Sequence, residues 1–259
     1  MNTIRTASIQ FNVRQGDVDA NLAYVREALE RAAAQGVQLA VLPEMWSSGF
    51  AYKNLNELAK RTAGIVEELL ELSGRLKLVI CGSMPEPDGV GKVFNTIFLV
   101  DNGRLAGIYR KIHLFSLLKE DLAFAGGDKW LLADTSIGKV GVIICYDLRF
   151  PELTRRLAIE GAQVICVPAQ WPKPRQEHWR ALLRARAIEN QLFVVACNAC
   201  GLIGKLDFFG MSMIIDPKGE VLAEAGEEEC EIVAPLDMQV MVDWRAQIPC
   251  FNDCKPECY

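Results

Sequence analysis

The stretch "VGVIICYDLRFPEL", residues Val140–Leu153, decides the fold because it joins a buried strand to a helix through a polar turn. Its apolar run ends at Cys145, and a tyrosine, an aspartate and an arginine follow at once. Pro151 is a favoured first residue of a helix, and Gly161 is a favoured residue just after a helix end. We therefore predict a strand, a turn that carries a thiol, and a helix.

Strands and helices alternate on both sides of this stretch. The segment "DVDANLAYVREALERAAAQG" has apolar residues at helical spacing and ends on Gly36, and residues 55–75 predict a second helix, broken near Gly64. Hairpins are predicted around the turns at residues 101–103 and 217–219, which contain Asn-Gly and Pro-Lys-Gly. Strands such as "LVIC" and "QVICV" are apolar on both faces, which indicates central strands covered on each side.

The organisation is that of one α/β domain. Nothing in the composition marks a linker or a low-complexity segment, and strands alternate with helices throughout. We therefore predict a single domain over residues 1–259, with a C-terminal tail that begins at about residue 240.

Composition and charge exclude several classes of protein. The chain has 259 residues and a formal net charge of −5, which does not suit a nucleic-acid-binding face. No apolar run approaches the roughly 20 residues that span a membrane. The start "MNTIRTASIQFNV" does not resemble a signal peptide, so we expect a cytoplasmic protein that binds neither nucleic acid nor membrane.

The cysteines are interpreted as reduced thiols. There are nine, an odd number, in a chain that is long for a disulfide-stapled fold. Cys250, Cys254 and Cys258 are four residues apart, which is not a usual zinc spacing, and no nearby histidine completes a site. We predict no metal and no organic cofactor.

Three polar residues follow apolar strands and have complementary chemistry. Glu44 follows "LAVLP", Lys111 follows "RLAGIYR", and Cys145 follows "VGVII". Ligands of open α/β sheets lie beyond the carboxyl ends of the strands, so these groups are predicted to point into one crevice. Taken singly, each has an ordinary alternative: a polar strand end, a solvated basic face and one more buried thiol.

Together the three groups form a nucleophile with its activators. A free thiol has a pKa of about 8.5 and needs a base or a positive neighbour before it attacks. A half-buried Glu44 with a raised pKa would accept the proton, and the Lys111 ammonium would favour the thiolate and later stabilise an oxyanion. The backbone N–H of Tyr146 is a second candidate oxyanion donor, because the chain turns there toward a helix.

The sequence resembles the nitrilase, or carbon–nitrogen hydrolase, superfamily in the segments "LAVLPEMWSSGF", "YRKIHLF", "GVIICYDLRFPEL" and "HWRALLRARAIENQ". The resemblance implies a Glu–Lys–Cys catalytic triad at Glu44, Lys111 and Cys145, and a four-layer αββα sandwich that pairs through its helices into a homodimer or a higher homo-oligomer. It also implies that Glu120, in "KEDLAFAGGD", holds Lys111 and the substrate nitrogen in position. The alternative for Glu120 is a loop carboxylate in water.

The tail "IPCFNDCKPECY" resembles that of bacterial relatives near the ω-amidases, although Cys254 and Lys255 stand where those relatives often carry arginines. The implied activity is an amidase that releases ammonia from a small carboxylate-bearing amide, such as 2-oxoglutaramate, through a thioester. A nitrilase, an N-carbamoyl amino acid hydrolase or a β-ureidopropionase are the alternatives within the superfamily. A non-catalytic binding or scaffold protein on the same fold is the alternative outside it.

Three further residues are candidates for substrate binding. Arg149 is placed to grip a substrate carboxylate, or alternatively to pair with a neighbouring acidic residue, Asp147, Glu152 or Glu189. Trp171, in a segment rich in tryptophan and proline, is predicted to line the pocket. Tyr52 is predicted at the mouth, with an exposed loop aromatic as the alternative.

A Cys–His hydrolase is a rival of another class. The chain has two histidines. His113 lies two residues after Lys111 and is interpreted as a structural donor, whereas His178 lies inside a predicted helix without a partner motif. The sequence therefore favours the Glu–Lys–Cys arrangement.

Overall fold

Two β-sheets pack face to face between outer layers of helices in the computed structural model, which describes residues 3–258. The strands are β1 Thr3–Gln10, β2 Leu39–Val41, β3 Val79–Cys81, β4 Ser83–Pro87, β5 Val93–Asp101, β6 Arg104–Arg110, β7 Leu132–Thr135, β8 Gly138–Val142, β9 Val164–Ala169, β10 Phe193–Asn198, β11 Cys200–Ile203, β12 Leu206–Phe209, β13 Met213–Ile215, β14 Val221–Glu224 and β15 Cys230–Asp237. The α-helices are α1 Val18–Ala34, α2 Leu55–Ala59, α3 Thr62–Leu76, α4 Glu120–Ala123, α5 Pro151–Ile159, α6 Gln176–Asn190, α7 Met238–Gln247 and α8 Cys250–Asp253. Short 3₁₀ helices span Tyr52–Asn54, Ser116–Leu118, Cys145–Arg149 and Pro256–Cys258.

The two sheets each have a parallel centre and antiparallel edges. The first has strand order β15-β1-β2-β3-β5-β4, with β6 paired to the other side of β5. The second has the order β14-β13-β10-β9-β8-β7. Strands β1, β2 and β3 are mutually parallel, as are β8, β9 and β10, so each sheet has a set of aligned carboxyl ends.

The layers follow from strands that are apolar on both faces. One hydrophobic cluster lies between the sheets and joins residues such as Val41 of the first to Val142 and Val167 of the second. A second cluster buries Val25 of α1 and Leu69 of α3 against the outer face of the first sheet. Helices α5 and α6 cover the second sheet. The predicted αββα sandwich is confirmed.

The structure agrees with the predicted hairpin and helices, except that one helix breaks earlier in the chain than predicted. The hairpin of β5 and β6 turns through Asn102 and Gly103, whose φ angles are 48° and 84°, the positive values that a type I′ turn requires. The predicted helix over residues 55–75 breaks between α2 and α3, earlier than Gly64. Thr62 begins α3, and its hydroxyl donates to the Pro85 carbonyl at 2.5 Å, which ties the new helix start to β4.

The tail returns to the body of the fold. Helix α7 begins at Met238, close to the predicted tail boundary, and the Gln191 side chain donates to the Ile248 carbonyl at 2.8 Å. The Arg245 guanidinium donates to the Gln191 carbonyl at 3.0 Å. Tyr259, the last residue of the tail motif, lies outside the described residues. Within residues 3–258, no helix is both long enough and apolar enough to cross a membrane.

Candidate active site

Cys145 stands at the first position of the 3₁₀ helix that follows β8. Its φ angle is 45°, in the left-handed region that costs a non-glycine residue about 1 kcal/mol or more. The Asp147 N–H donates to the Ile144 carbonyl at 2.9 Å, and the Ile144 N–H donates to Asp147 Oδ2 at 2.9 Å. These two bonds close the turn around Cys145 and hold its strained backbone.

Glu44 and Lys111 meet at the same place from the first sheet. Glu44 follows β2, and its Oε1 accepts from Lys111 Nζ at 2.8 Å and from Asn95 Nδ2 at 2.7 Å. Its Oε2 accepts from the Gln170 N–H, just after β9, at 2.9 Å. Glu44 is 1% exposed and Lys111 is 0% exposed, so the expectation of a half-buried Glu44 is wrong. Donors from segments of both sheets surround the buried carboxylate and complete its hydrogen bonds.

Glu120 is the second carboxylate on Lys111. Its Oε2 and Oε1 accept from Lys111 Nζ at 2.8 Å and 3.1 Å, and Oε2 also accepts from the Phe115 N–H at 3.0 Å. The side chain is buried, so the alternative of a loop glutamate in water is wrong. One ammonium therefore bridges the side chains of two buried glutamates.

The surrounding charges set the protonation state of the Cys145 thiol. Burial and then the charge of Glu44 raise the pKa of the Cys145 thiol well above its usual range, and the opposing effect of Lys111 does not compensate. Burial opposes the charge of Lys111, but Glu44 and Glu120 raise the pKa of its ammonium well above the usual range. Burial raises the pKa of Glu120 as well, although Lys111 opposes this. Lys111 favours the thiolate, as expected, but burial and Glu44 outweigh its effect, so the thiol is protonated until a base removes its proton.

A cavity of about 300 Å³ opens above Cys145. The sequence-predicted residues Glu120, Tyr146, Arg149, Trp171 and Tyr52 all line it. Glu44 and Lys111 lie behind them in the buried cluster. The structure thus brings every predicted site residue to one place.

The walls of the cavity are held by specific contacts. The Tyr52 hydroxyl donates to the Leu118 carbonyl at 3.1 Å, which joins two loops across the mouth. Trp171 is 2% exposed, and its indole N–H donates to the Arg175 carbonyl at 3.0 Å. Trp179 instead packs in the hydrophobic core.

Arg149 faces the cavity without a carboxylate partner among residues 3–258. Its guanidinium lies 4.7 Å from the Trp171 ring centroid, and its Nη2 lies 3.2 Å from His178 Nδ1. The acidic residues proposed as its alternative partners are engaged or apart, since Asp147 contacts His113 and Glu189 pairs with Arg186. The predicted ion pair of Arg149 is therefore not formed.

Sequence reasoning missed two cations of the cavity wall. Arg175 places its guanidinium 5.7 Å from the Phe115 ring centroid, and Lys205 lies in the hairpin of β11 and β12. The signal for the hairpin was a Gly-Lys turn between short apolar runs, at Gly204 and Lys205. No local pattern marked Arg175, because its loop meets the cavity only through the packing of β9 and α6.

The histidines serve other contacts. The charged groups that act on the Cys145 thiol are Glu44, Lys111 and Glu120. His113 instead lies 2.8 Å from Asp147 Oδ1 through its Nδ1, and its ring stacks on Phe150 at 3.6 Å. A Cys–His dyad is therefore not formed. No group of three or more potential metal-ligating side chains occurs in the part of the chain that the structure describes.

Comparison with known proteins identifies the family. Residues 5–246 match the carbon–nitrogen hydrolase family, so the chain belongs to it. The sequence is 37% identical over 254 residues to the 2-oxoglutaramate amidase of Bacillus subtilis (strain 168), covering 97% of each chain. It is 32% identical over 275 residues to the human omega-amidase NIT2, covering 100% of this chain and 98% of that one.

Solved structures agree with this assignment. The crystal structure of Saccharomyces cerevisiae Nit3, a member of branch 10 of the nitrilase superfamily, superposes with a TM-score of 0.91 at 30% identity, covering 100% of this chain and 97% of that one. An amidase of the same superfamily from Nesterenkonia AN1, solved as a C145A mutant, superposes with a TM-score of 0.84 at 29% identity and covers 95% of each chain. The predictions of a carbon–nitrogen hydrolase and of an enzyme are confirmed.

Proposed function

We propose that the protein is an ω-amidase that hydrolyses the terminal amide of a short 2-oxo acid, such as 2-oxoglutaramate, to the carboxylic acid and ammonia. The observation that carries the proposal is the contact of Lys111 with Glu44 and Glu120 beside Cys145, beneath a cavity lined by cations that have no carboxylate partner among residues 3–258. The similarity to proteins named 2-oxoglutaramate amidase and omega-amidase supports the substrate class.

Glu44 activates the nucleophile in the first step. The thiol of Cys145 is protonated at rest, so it must lose its proton as it attacks. The charge of the Glu44 carboxylate acts on that thiol, and the carboxylate accepts the proton while the sulfur forms a bond to the amide carbon. The carbonyl π electrons move to oxygen, and a tetrahedral oxyanion results.

Lys111 and the Tyr146 backbone stabilise that oxyanion. Lys111 carries a fixed ammonium in a buried site, where its charge acts more strongly than in water. The Tyr146 N–H lies at the start of the 3₁₀ helix and has no acceptor among residues 3–258, so it is free to donate to the substrate oxygen. Glu120 acts through Lys111, which it holds in place.

The tetrahedral intermediate collapses to a thioester, which water then hydrolyses. The carbon–nitrogen bond breaks, the nitrogen takes the proton held by Glu44, and ammonia leaves a thioester on Cys145. Water then attacks the thioester carbon while Glu44 takes its proton. The sulfur leaves and is reprotonated, which releases the carboxylic acid. These reaction steps use a nucleophile, a base and oxyanion donors of this chain, and they need no cofactor.

The cations of the cavity select the substrate. An arginine without a carboxylate partner binds a carboxylate through a planar pair of donors, and both Arg149 and Arg175 line the cavity above Cys145. A small amide that carries a carboxylate at its other end can place its amide group at Cys145 and its carboxylate at the arginines of the cavity wall. An uncharged amide would leave the guanidinium groups unmatched.

The test is ammonia release from 2-oxoglutaramate, against propionamide, a short nitrile and N-carbamoyl-β-alanine. We expect turnover of 2-oxoglutaramate that Cys145→Ala abolishes while the unfolding midpoint is kept. Cys166→Ala is the matched control, because Cys166 is also a buried thiol but lies in the core between the sheets. Preference for the nitrile or the carbamoyl compound would contradict the proposed substrate, and turnover by folded Cys145→Ala would contradict the nucleophile.

Assembly and location are part of the same proposal. We expect a homodimer that pairs through α5 and α6, where Ile159 and Ile188 are 60% and 46% exposed. The same helices carry buried polar atoms without partners among the described residues, Nη1 of Arg155 and Nε of Arg186. A cytoplasmic location is supported by nine cysteines that are all free thiols.

A further inference from the structure

Asp147 is buried, at 0% exposure, two residues after the nucleophile. Four hydrogen-bonding groups surround its carboxylate. Oδ2 accepts from the Tyr109 hydroxyl at 2.6 Å and from the Ile144 N–H at 2.9 Å. Oδ1 accepts from the His113 N–H at 3.0 Å and lies 2.8 Å from His113 Nδ1. Among residues 3–258 it pairs with no lysine or arginine, so these groups stabilise its charge.

The partners of Asp147 lie on both sides of Lys111. Tyr109 is the penultimate residue of β6, and His113 comes two residues after Lys111. The Tyr109 hydroxyl also accepts from the Ile112 N–H at 3.4 Å. Asp147 therefore grips the segment that carries the ammonium both before and after it.

The remaining bond reaches the nucleophile turn. The Ile144 N–H precedes Cys145, and its bond to Oδ2 of Asp147 closes the turn in which Cys145 has its positive φ. The segment of Lys111 leaves the first sheet and that of Cys145 leaves the second. One carboxylate thus joins, across two sheets, the two chain segments whose side chains must act on the same carbonyl.

We infer that Asp147 is a positioning residue that fixes the distance and orientation between the Lys111 ammonium and the Cys145 sulfur. Asp147 does not line the cavity above Cys145. Its effect depends on accepting bonds with both oxygens, which an ionised carboxylate does and a carboxamide does not, because an NH₂ group would face two donors. This inference rests on the proposed function, because it assigns Lys111 and Cys145 to catalysis.

The test uses Asp147→Asn and Tyr109→Phe. We expect kcat to fall by about 10²-fold in Asp147→Asn and by about tenfold in Tyr109→Phe, with KM little changed, since a misplacement of about 1 Å is enough for such a loss. If both act through the same bond, the double variant will lose no more than Asp147→Asn alone.

A second measurement does not need the substrate. The rate of Cys145 alkylation by iodoacetamide, followed by peptide mass mapping across pH, reports the charges of Glu44, Lys111 and Glu120 around the sulfur. Because Lys111 lowers the pKa of the thiol, displacing it moves the midpoint of alkylation to higher pH. We expect that upward shift in Asp147→Asn and a smaller one in Tyr109→Phe.

Asp101→Asn is the matched control. Asp101 is also buried, at 1% exposure, and accepts from Ser136 and Arg104 at the far end of the β5–β6 hairpin. This variant is expected to lower stability without moving the alkylation midpoint or kcat.

The outcomes separate the two proposals. If folded Asp147→Asn keeps the kcat and alkylation profile of the wild type, the inference is overturned. A loss of kcat without a shift in alkylation, in both variants, reduces Asp147 to a structural role and also overturns it. A shift in alkylation with a wild type that hydrolyses no 2-oxoglutaramate supports the placement by Asp147 and contradicts the proposed substrate instead. Tyr109→Phe, which removes one hydroxyl, keeps the test valid if Asp147→Asn does not fold.

Discussion

Glu44 and Lys111 form a 2.8 Å ion pair that is almost wholly removed from water, although the residues are 67 positions apart in the chain. A buried ion pair of this kind contributes little to stability compared with an apolar replacement, because desolvation offsets the attraction. We propose that its value lies in holding a base and a cation at fixed positions beside the Cys145 sulfur. Substitutions of Glu44 and Lys111 should therefore affect catalysis and stability differently.

Glu44→Gln is expected to remove turnover but to preserve the reactivity of the thiol. The loss of a general base lowers kcat by about 10²- to 10⁴-fold. Because the charge of Glu44 raises the pKa of Cys145 and Lys111 lowers it, removing the carboxylate lets Lys111 favour the thiolate. Alkylation of Cys145 by iodoacetamide at neutral pH should therefore be at least as fast as in the wild type.

The control for that prediction is Glu86→Gln. Glu86 pairs with Arg110 at the surface of the same sheet and does not line the cavity, so both turnover and alkylation should match the wild type. Slow alkylation in Glu44→Gln alone would mean that the thiol needs Glu44 even for a simple displacement.

Lys111→Met is expected to destabilise the fold as well as to inactivate it. The substitution leaves Glu44 and Glu120 buried without their cation, and breaking a buried pair in this way costs about 3–5 kcal/mol. Thermal and urea unfolding measure the loss. Lys173→Met is the control: its ion pairs with Asp207 and Glu227 are exposed, so its unfolding midpoint should hardly change.

The instability of Lys111→Met should depend on pH. Burial already raises the pKa of Glu120 in the wild type, and removing Lys111 raises it further. A carboxyl whose folded pKa exceeds its unfolded value of about 4.3 stabilises the fold at low pH and loses that contribution as pH rises through the folded pKa. The deficit in unfolding free energy against the wild type should therefore be larger at pH 7 than at pH 5. An equal deficit at both values would contradict the charge argument.

Arg149→Ala and Arg175→Ala are expected to act on charged substrates. Each removes a charged donor worth about 1.5–3 kcal/mol to a carboxylate, so kcat/KM for 2-oxoglutaramate should fall by about 10- to 100-fold. Slow hydrolysis of propionamide, if detectable, should change by less than about threefold, because that amide has no carboxylate. Arg180→Ala is the control, since Arg180 pairs with Glu224 away from the cavity. Equal losses of kcat/KM on both amides would contradict a role of these arginines in binding the substrate carboxylate.

Ile188→Glu is expected to split the homodimer. It places a charge on the exposed apolar face of α6, where burial against a second copy would leave that charge unpaired. Sedimentation velocity should show a dimer for the wild type and a monomer for the variant. Val90→Glu, on a loop and 89% exposed, should remain dimeric. A monomeric wild type would contradict the proposed assembly.

The local part of this architecture could be read from the chain. The apolar runs that end at Glu44 and at Cys145 are contiguous in sequence, and so is the Asn-Gly turn that closes the β5–β6 hairpin. Each of these signals depends on neighbouring residues only. That is why the strands, the hairpins and the family resemblance can be predicted from the sequence.

The burial of Glu120 and the cations of the wall could not be read in this way. Glu120 lies in a locally charged segment, and only the packing of its short helix against Lys111 removes it from water. Arg175 comes from the loop after β9 of the second sheet and Lys205 from the separate β11–β12 hairpin, and both line the cavity above Cys145 only in the folded chain. The spacing of residues along the chain does not indicate which loops lie next to each other in the fold.

The sequence by itself determined which residue types stand at the ends of which strands, and hence the class of chemistry. Only the tertiary structure decided the protonation state of the Cys145 thiol, because its pKa depends on burial and on carboxylates from other segments. It also brought Asp147 into hydrogen-bond contact with Tyr109, 38 positions away in the chain. Periodicity and propensity act over a few residues, whereas electric fields and hydrogen bonds act between whatever groups folding brings within a few ångströms.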